Sequence, residues 1–203
     1  MQLYLVRHGQ SEGNVVTYDV PDGNLTALGQ VQATEAGKRL MPEGIDLVIV
    51  SPLRRALQTA AAIARETGAP LEVWQELCEH RDNGLYRFMG KNGVRSVVAD
   101  AVCEAEMPED GFDFGLESPA EAHDRALRML GRLRSRFAHT EKRVAVVAHG
   151  GFNAFFLMAM MGRPWQRGHW IEQNNCCVNR VWMDPEHVRL LSVNETAHLT
   201  QVT

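Results

Sequence analysis

Two histidines in this chain share an unusual local setting. His8 and His149 each come at the end of an apolar run, LYLV and VAVVA, and each is followed at once by glycine. In an open parallel sheet, ligand sites lie at the carboxyl ends of the strands, so both imidazoles would project into one crevice if the two strands are neighbours. Arg7, directly before His8, adds a cation at the same place.

A second arginine follows a different apolar run. In IVSPLRRALQTA, Ser51 is predicted to cap a helix that begins at Pro52, which puts Arg54 in its first turn at the carboxyl end of a strand. An arginine there is unfavourable for the helix dipole unless a negative ligand offsets it, and helix N-termini favour anions. Arg55 is turned about 100° away on the helix, so we expect it to face solvent.

This set of side chains suits a phosphoryl group better than a metal ion. Metal-binding histidines normally come with carboxylate or thiolate partners, and two nearby guanidiniums would repel a divalent cation. A phosphoryl group carries negative charge on three oxygens and accepts bidentate pairing from arginine. We therefore expect no metal and no other cofactor, and chemistry based on positioning and charge stabilisation.

The elements that must hold these residues alternate between strand and helix patterns, which favours a mainly parallel α/β sheet. The 203 residues are long enough for one sizeable core, and we expect one domain over 1–203. The sequence SPAE at 118–121 is a capping box with proline at the first helical position. The predicted strands are 3–6, 47–50, 71–74, 144–148 and 178–183, and helices are predicted over 27–40, 52–67 and 119–137.

Composition excludes several classes of function. The net charge is −4, so no broad positive field attracts nucleic acid, and no apolar stretch approaches the roughly 20 residues of a membrane helix. The opening residues MQLYLVRHG carry no basic segment followed by a long apolar one, so we expect no secretory signal. The four cysteines show neither a CxxC pair nor an even framework, which suits a reducing compartment, and we expect a cytoplasmic protein.

Two segments have weaker patterns. Between 81 and 116 the periodicity fades and glycines accumulate, which predicts an excursion that caps the active site at one end of the sheet, with a short helix near 94–102. The aromatic stretch RPWQRGHWIEQNN at 163–175 could be a pocket wall, ordinary packing or the subunit interface of a homodimer, and we favour the first two.

Five motifs in the same order give the chain its resemblance to a known family, the histidine phosphatase or phosphoglycerate mutase-like superfamily. The resemblance covers essentially the whole chain and implies a three-layer α/β/α sandwich with a mainly parallel central sheet. The motifs are LVRHGQSEGN at 5–14, NLTALGQVQA at 24–33, SPLRRALQTA at 51–60, LESPAE at 116–121 and VVAHGG at 146–151.

By this resemblance His8 is the nucleophile that becomes phosphorylated, and Arg7, Arg54 and His149 form the phosphate pocket. The neighbouring cations should lower the pKa of His8 and free a lone pair for attack. A protonated His149 would add charge where the transition state develops it. Asn14 and the backbone N–H of Gly150 are further candidates for phosphate contact, although Asn14 could equally be a turn residue.

The family places a glutamate soon after the third strand as the general acid, which fits Glu79 in QELCEHRDNG. The family commonly has glycine four residues after this acid, whereas Gly84 comes five after Glu79. Glu76 and Asp82 therefore remain alternatives.

The resemblance implies a hydrolase that cleaves phosphomonoesters through a phosphohistidine, with a small phosphorylated metabolite as substrate. The mutase branch typically has a Gly-Trp-x-Asp segment after the nucleophile loop, where this chain reads TYDVPDGN. A mutase is therefore the alternative, and a phosphate-binding module without turnover is a third hypothesis. The third is disfavoured because a nucleophile and a candidate acid are both present.

Overall fold

A largely parallel sheet runs through the centre of the protein. The computed structural model describes residues 1–16, 20, 22–81 and 86–203, without the side chains of Tyr86 and Phe114. Its strands are β1 (Gln2–Arg7), β2 (Leu47–Val50), β3 (Leu71–Val73), β4 (Tyr86–Phe88), β5 (Val102–Cys103), β6 (Phe112–Phe114), β7 (Arg143–Ala148), β8 (Val178–Met183) and β9 (Val188–Glu195).

Within the described residues, seven strands form the main sheet in the order β5-β3-β2-β7-β1-β8-β9. The five strands from β5 to β1 are parallel, whereas β8 and β9 are antiparallel to their neighbours. β1 and β7 pair over their full lengths with Arg7 opposite Ala148. Their carboxyl ends therefore meet at the same point of the same edge.

Helices cover both faces of this sheet. They are α1 (Glu12–Val15), α2 (Ala27–Leu40), α3 (Arg54–Thr67), α4 (Gly90–Val97), α5 (Pro119–Phe137) and α6 (Gly150–Met160). Alternate residues of β1 enter different cores: Leu3 and Leu5 pack with α5 and α6, and Tyr4 and Val6 pack with α2 and α3. Because successive side chains of the apolar run LYLV in this strand point to opposite faces, both faces are covered by helices, which gives the predicted three-layer α/β/α sandwich.

The predicted elements are close to the observed ones, with two informative differences. The five predicted strands are present within a residue or so of their predicted ends, and α5 has its capping box at Ser118 and Glu121. The helix predicted from Pro52 instead begins at Arg54, with Leu53 as its N-cap. The short helix predicted near 94–102 lies earlier, over Gly90–Val97.

The segment between β3 and α5 contributes to both sheets. β5 extends the main sheet beside β3, while β4 and β6 pair with each other in a separate two-stranded sheet. Phe88 of β4 packs with Leu53 and Cys78, which follow β2 and β3 at the carboxyl edge. Residues 82–85 of the predicted excursion lie outside the described residues.

Nothing in the described part of the chain could span a membrane as a helix, since every helix there is too short or too polar.

Candidate active site

The pairing of β1 with β7 brings the two histidines together. His8 follows β1, and its backbone N–H donates to the carbonyl of Ala148 over 3.0 Å. His149 follows β7, and the two imidazole centroids lie 5.2 Å apart. Both side chains are buried, with 3% and 0% of their surface exposed. The shared crevice expected from the sequence is therefore present.

The hydrogen bonds of His8 define which nitrogen can attack. Its Nδ1 lies 2.7 Å from the carbonyl oxygen of Gly9, which can only accept, so Nδ1 carries the proton. Nε2 is left with its lone pair and accepts a hydrogen bond from Arg55 Nε over 3.1 Å. Burial, followed by the charges of Arg55 and Arg7, holds the pKa of His8 well below its usual range. A neutral, nucleophilic Nε2 results.

His149 has the same tautomer as His8, with its proton on Nδ1. Its Nε2 lies 2.7 Å from Ser51 Oγ, which itself accepts the N–H of Leu53 over 3.3 Å and so has its hydroxyl hydrogen available to donate. Burial, and next the charge of Arg55, lowers the pKa of His149 well below its usual value. The single proton of the neutral ring is then on Nδ1, which is buried and has no hydrogen-bond partner among the described residues. His149 is therefore a neutral donor in this state, and not an imidazolium.

Arg7 supplies a second unsatisfied donor. Its Nη1 donates to the carbonyl of Gln173, whereas its Nε is buried with no hydrogen-bond partner among the residues that the structure describes. Burial lowers the pKa of Arg7, yet a guanidinium remains charged at neutral pH. Two buried donors with no partner, Arg7 Nε and His149 Nδ1, are the pattern expected where a polar ligand completes the site.

The second cation of this cluster is Arg55, which corrects the sequence prediction. Arg55 was expected to face solvent, but its side chain is only 7% exposed and donates to His8. The described contact of Arg54 is made by its backbone N–H, which donates to the Asp22 carboxylate over 2.7 Å. The predicted contact between Arg54 and phosphate stays a prediction.

The start of α3 also differs from the prediction. Ser51 does not cap the helix, because its Oγ contacts His149 and the N-cap is Leu53. The helix begins two residues later than predicted, at Arg54, so both arginines lie in its first turn. Arg55 is the one whose buried side chain contacts His8.

Glu79 lies at the N-terminus of α6, the helix that directly follows His149. Its Oε1 accepts the backbone N–H of Phe152 over 2.8 Å, and its Oε2 accepts that of Gly151 over 3.2 Å. A Cβ added at Gly151 would lie 2.6 Å from Glu79 Oε1, so only glycine permits this approach. Burial lowers the pKa of Arg7, and the negative charge of Glu79 partly opposes that shift.

The alternative acids are placed differently. Glu76 Oε1 accepts a hydrogen bond from Arg128 Nε over 3.0 Å in a largely exposed ion pair. Asp82 lies outside the described residues. Of Glu76 and Glu79, the two candidates that the structure describes, only Glu79 contacts the start of α6, directly after His149.

Asn14 and Gly150 have defined neighbours. Asn14 Oδ1 accepts hydrogen bonds from the backbone N–H of Ser11 over 2.9 Å and from the Ser11 hydroxyl over 3.1 Å. The Nδ2 atom of Asn14 is therefore left to donate elsewhere. A Cβ at Gly150 would lie 3.2 Å from Arg7 Nε, so this glycine lets the arginine pass close to the α6 N-terminus. Phosphate contact by Asn14 and by the Gly150 N–H remains a prediction.

Three contributors were not recognised from sequence: Arg55, Gly151 and Ser51 as the partner of His149. The second glycine of HGG was a usable signal, because a helix that starts with two glycines loses stability unless something needs the space. No cluster of three or more His, Cys, Asp or Glu with metal-binding geometry occurs in the described residues.

Comparison with known proteins identifies the same family that the sequence motifs resemble. The family model of the histidine phosphatase superfamily (branch 1) matches residues 3–196. The chain is 30% identical to glucosyl-3-phosphoglycerate phosphatase of Mycolicibacterium vanbaalenii, over 80% of this chain and 75% of that protein. It is 28% identical to a Proteus mirabilis protein named probable phosphoglycerate mutase GpmB, over 100% of this chain and 96% of that one.

The fold is shared with solved structures. A protein named Mycobacterial hydrolase 1 superimposes with a TM-score of 0.70 at 23% identity, covering 97% of this chain and 99% of that one. The mainly parallel α/β fold predicted from sequence is confirmed, and the family match with its phosphatase-named relatives confirms the prediction of a phosphomonoester hydrolase. The chain belongs to the histidine phosphatase superfamily.

Proposed function

We propose that the protein hydrolyses small phosphomonoesters through a phosphohistidine on His8, without a metal ion. The observation that carries this proposal is the tautomer of His8, whose Nδ1 is bound to the Gly9 carbonyl so that Nε2 holds a lone pair. Around that atom lie Arg55 and the unsatisfied donors of Arg7 and His149. Buried guanidiniums repel each other, and a phosphoryl dianion between them would relieve that repulsion.

In the first half-reaction, His8 Nε2 attacks the phosphorus and the bond to the ester oxygen breaks. Arg55 moves its Nε hydrogen bond from the His8 lone pair to a phosphoryl oxygen as attack begins. His149 Nδ1–H and Arg7 Nε–H donate to the other oxygens and stabilise the transferring group. Glu79 gives its proton to the leaving alkoxide, which departs as an alcohol.

In the second half-reaction, water attacks the phosphohistidine. The Glu79 carboxylate takes the proton from the water as the new P–O bond forms and the P–N bond breaks. Inorganic phosphate leaves, and His8 returns to its neutral state with the proton on Nδ1. The carboxylate is held by two peptide N–H groups of α6, so it returns to the same position for each step.

Further features belong to the same proposal. Phe88 packs against Leu53 and Cys78 at the carboxyl edge of the sheet, which supports a cap over the active site formed by residues 81–116. Asn14 Nδ2, Arg54 and the Gly150 N–H are candidates for additional phosphate contacts. The substrate would be a small phosphorylated metabolite, and neither nucleic acid nor a membrane is a proposed partner.

The proposal places the protein in the cytoplasm, because its four cysteines are unbridged as in a reducing compartment. The segment 163–175 contributes Arg163, Trp170 and their neighbours to a surface cavity of about 420 Å³, which supports its role as a pocket wall. A homodimer through this segment stays an alternative, and sedimentation of the purified chain would decide it.

Trapping of the intermediate tests the mechanism. Wild type incubated with a 32P-labelled phosphomonoester in the presence of a chelator should form an acid-labile, base-stable phosphoprotein that turns over. His8→Ala should form none and should lose hydrolysis. Equal hydrolysis by wild type and His8→Ala would refute the nucleophile assignment.

A mutase is the second candidate, favoured by the full-length similarity to the Proteus mirabilis protein. Interconversion of phosphoglycerates should be measured with and without a bisphosphorylated primer. Phosphate release without interconversion supports the hydrolase. Primer-dependent interconversion faster than phosphate release would instead make the protein a mutase.

A further inference from the structure

A buried ion pair lies behind the active site and takes no part in the chemistry described above. Arg125 of α5 is 1% exposed, and Glu117, just before that helix, is 8% exposed. The pairing is bidentate: Arg125 Nε donates to Glu117 Oε1 over 2.8 Å, and Nη2 donates to Oε2 over 2.6 Å. Such a pair has a large desolvation cost, and apolar replacements are often as stable. A contribution to stability is therefore a weak explanation for the presence of this buried pair.

The remaining hydrogen bonds of Arg125 lead to the segment that carries the acid. Its Nη1 donates to the carbonyl of Glu76 over 2.6 Å and to the carbonyl of Cys78 over 2.8 Å. Cys78 immediately precedes Glu79. The guanidinium thus holds the backbone on the N-terminal side of the catalytic carboxylate.

Glu117 holds the same segment on its other side. Its backbone N–H donates to the carbonyl of Arg81 over 2.9 Å, and its carbonyl accepts from the ring Nε2 of His80 over 3.0 Å. His80 immediately follows Glu79. Both flanks of Glu79 are therefore bound to the two members of one ion pair.

Arg125 also contacts the element that binds the Glu79 carboxylate itself. Its guanidinium carbon lies 4.6 Å from the ring centroid of Phe152. The backbone N–H of Phe152 donates to Glu79 Oε1. One buried guanidinium therefore links the backbone that carries the carboxylate with the helix that receives it.

We propose that the Glu117–Arg125 pair is a positioning device for Glu79, which keeps the acid in line with the leaving-group oxygen. The inference rests on the proposed function, because it presumes that Glu79 transfers the proton. A misplacement of about 1 Å can cost on the order of 100-fold in rate, so such a device has a measurable effect. Loss of this ion pair should lower the rate only for substrates whose leaving group must be protonated.

The test compares two substrates that differ in their need for that proton. Glycerol 2-phosphate releases an alkoxide and requires the acid, whereas 2,4-dinitrophenyl phosphate releases a stable phenolate and does not. The readout is the ratio of kcat/KM for the two substrates, which reports steps up to departure of the leaving group. Loss of folded enzyme lowers both values equally and leaves the ratio unchanged.

The variants are chosen to avoid a buried unpaired charge. Arg125→Met combined with Glu117→Gln removes both charges, and Glu79→Gln sets the ratio for complete loss of the acid. The matched control is Arg136→Met, because Arg136 lies on the same helix and pairs with Glu72 in a bidentate manner over 2.5 and 2.7 Å. Arg125→Lys, which keeps a charge but cannot reach all four acceptors, serves if the double variant does not fold.

The expected results separate the inference from the proposed function. Glu79→Gln should lower the alkyl-to-aryl ratio about 100-fold, and the Arg125 variants should lower it at least about 10-fold, with Arg136→Met unchanged. A wild-type ratio in the folded Arg125 variants overturns the inference alone. A wild-type ratio in Glu79→Gln overturns the role of Glu79 in the proposed function, and with it the inference.

Discussion

Two histidines that are buried without charge should make this protein lose stability in mild acid. His8 and His149 have at most 3% of their surface exposed, and burial together with the Arg55 charge lowers both pKa values well below their usual range. In the unfolded chain each would titrate at about 6.5. Below that pH the two histidines are protonated in the unfolded chain but remain neutral in the folded protein. The stabilisation is therefore complete above about pH 6.5 and is lost as the pH falls toward the folded pKa.

The magnitude follows from the unfolded pKa, because burial keeps both rings neutral in the folded protein. At pH 5.5 protonation stabilises the unfolded state by about 1 kcal/mol for each histidine, and at pH 7.5 by almost nothing. His8 and His149 together should reduce the free energy of unfolding by about 2–3 kcal/mol between these two pH values. This is a large part of a stability of ordinary size, about 5–15 kcal/mol.

Urea unfolding followed by tryptophan fluorescence, in buffers free of phosphate, measures the effect at each pH. Carboxylates and His198 titrate as well, so the informative quantity is the difference between wild type and the variants His8→Asn and His149→Asn. Between pH 7.5 and pH 5.5 the free energy of unfolding of each variant should fall by about 1 kcal/mol less than that of wild type. Parallel curves for wild type and both variants would mean that the histidines are charged in the folded protein, and the tautomer argument would fail.

Other substitutions test individual contacts. Gly151→Ala places a Cβ 2.6 Å from Glu79 Oε1 and should lower kcat/KM for an alkyl phosphate at least about 10-fold. Gly131→Ala, in open space on a helix, should instead raise the free energy of unfolding by about 1 kcal/mol with activity unchanged; a loss of activity there would contradict the site's boundaries. Arg55→Lys should lower kcat/KM about 100-fold or more, and Arg54→Lys by less than about threefold. The reverse order would make Arg54, and not Arg55, the main phosphate ligand.

The sequence allowed the sheet and the histidine pair to be predicted because both depend on short-range patterns. A strand that is apolar on both faces must lie inside a parallel sheet, and the residue after it must emerge at the carboxyl edge. His8 and His149 satisfy that condition separately, and the β1–β7 register adds only that they are neighbours. β9, with alternating exposure at the edge of the sheet, carries a weaker signal and was not predicted.

The wrong prediction that Arg55 faces solvent has a different origin. The assignment depended on where α3 begins, and helix ends are set by hydrogen bonds that a sequence does not display. Ser51 has the residue type of an N-cap, yet it contacts His149, which lies 98 residues away in the chain. A partner so distant cannot be read from local propensity, so the start of α3 at Arg54 and the burial of Arg55 were not predicted.

One further signal in the sequence could have narrowed the choice among the three candidates for the general acid. Counting residues to the next glycine left Glu76, Glu79 and Asp82 open, because loop lengths vary without cost to the fold. The second glycine after His149 carries better information: a side chain there would collide with the carboxylate that binds the first peptide groups of α6. Gly151 implies that something must approach the helix, and a carboxylate is what a helix N-terminus favours. The space left at Gly151 therefore favours Glu79 over Glu76 as the predicted acid.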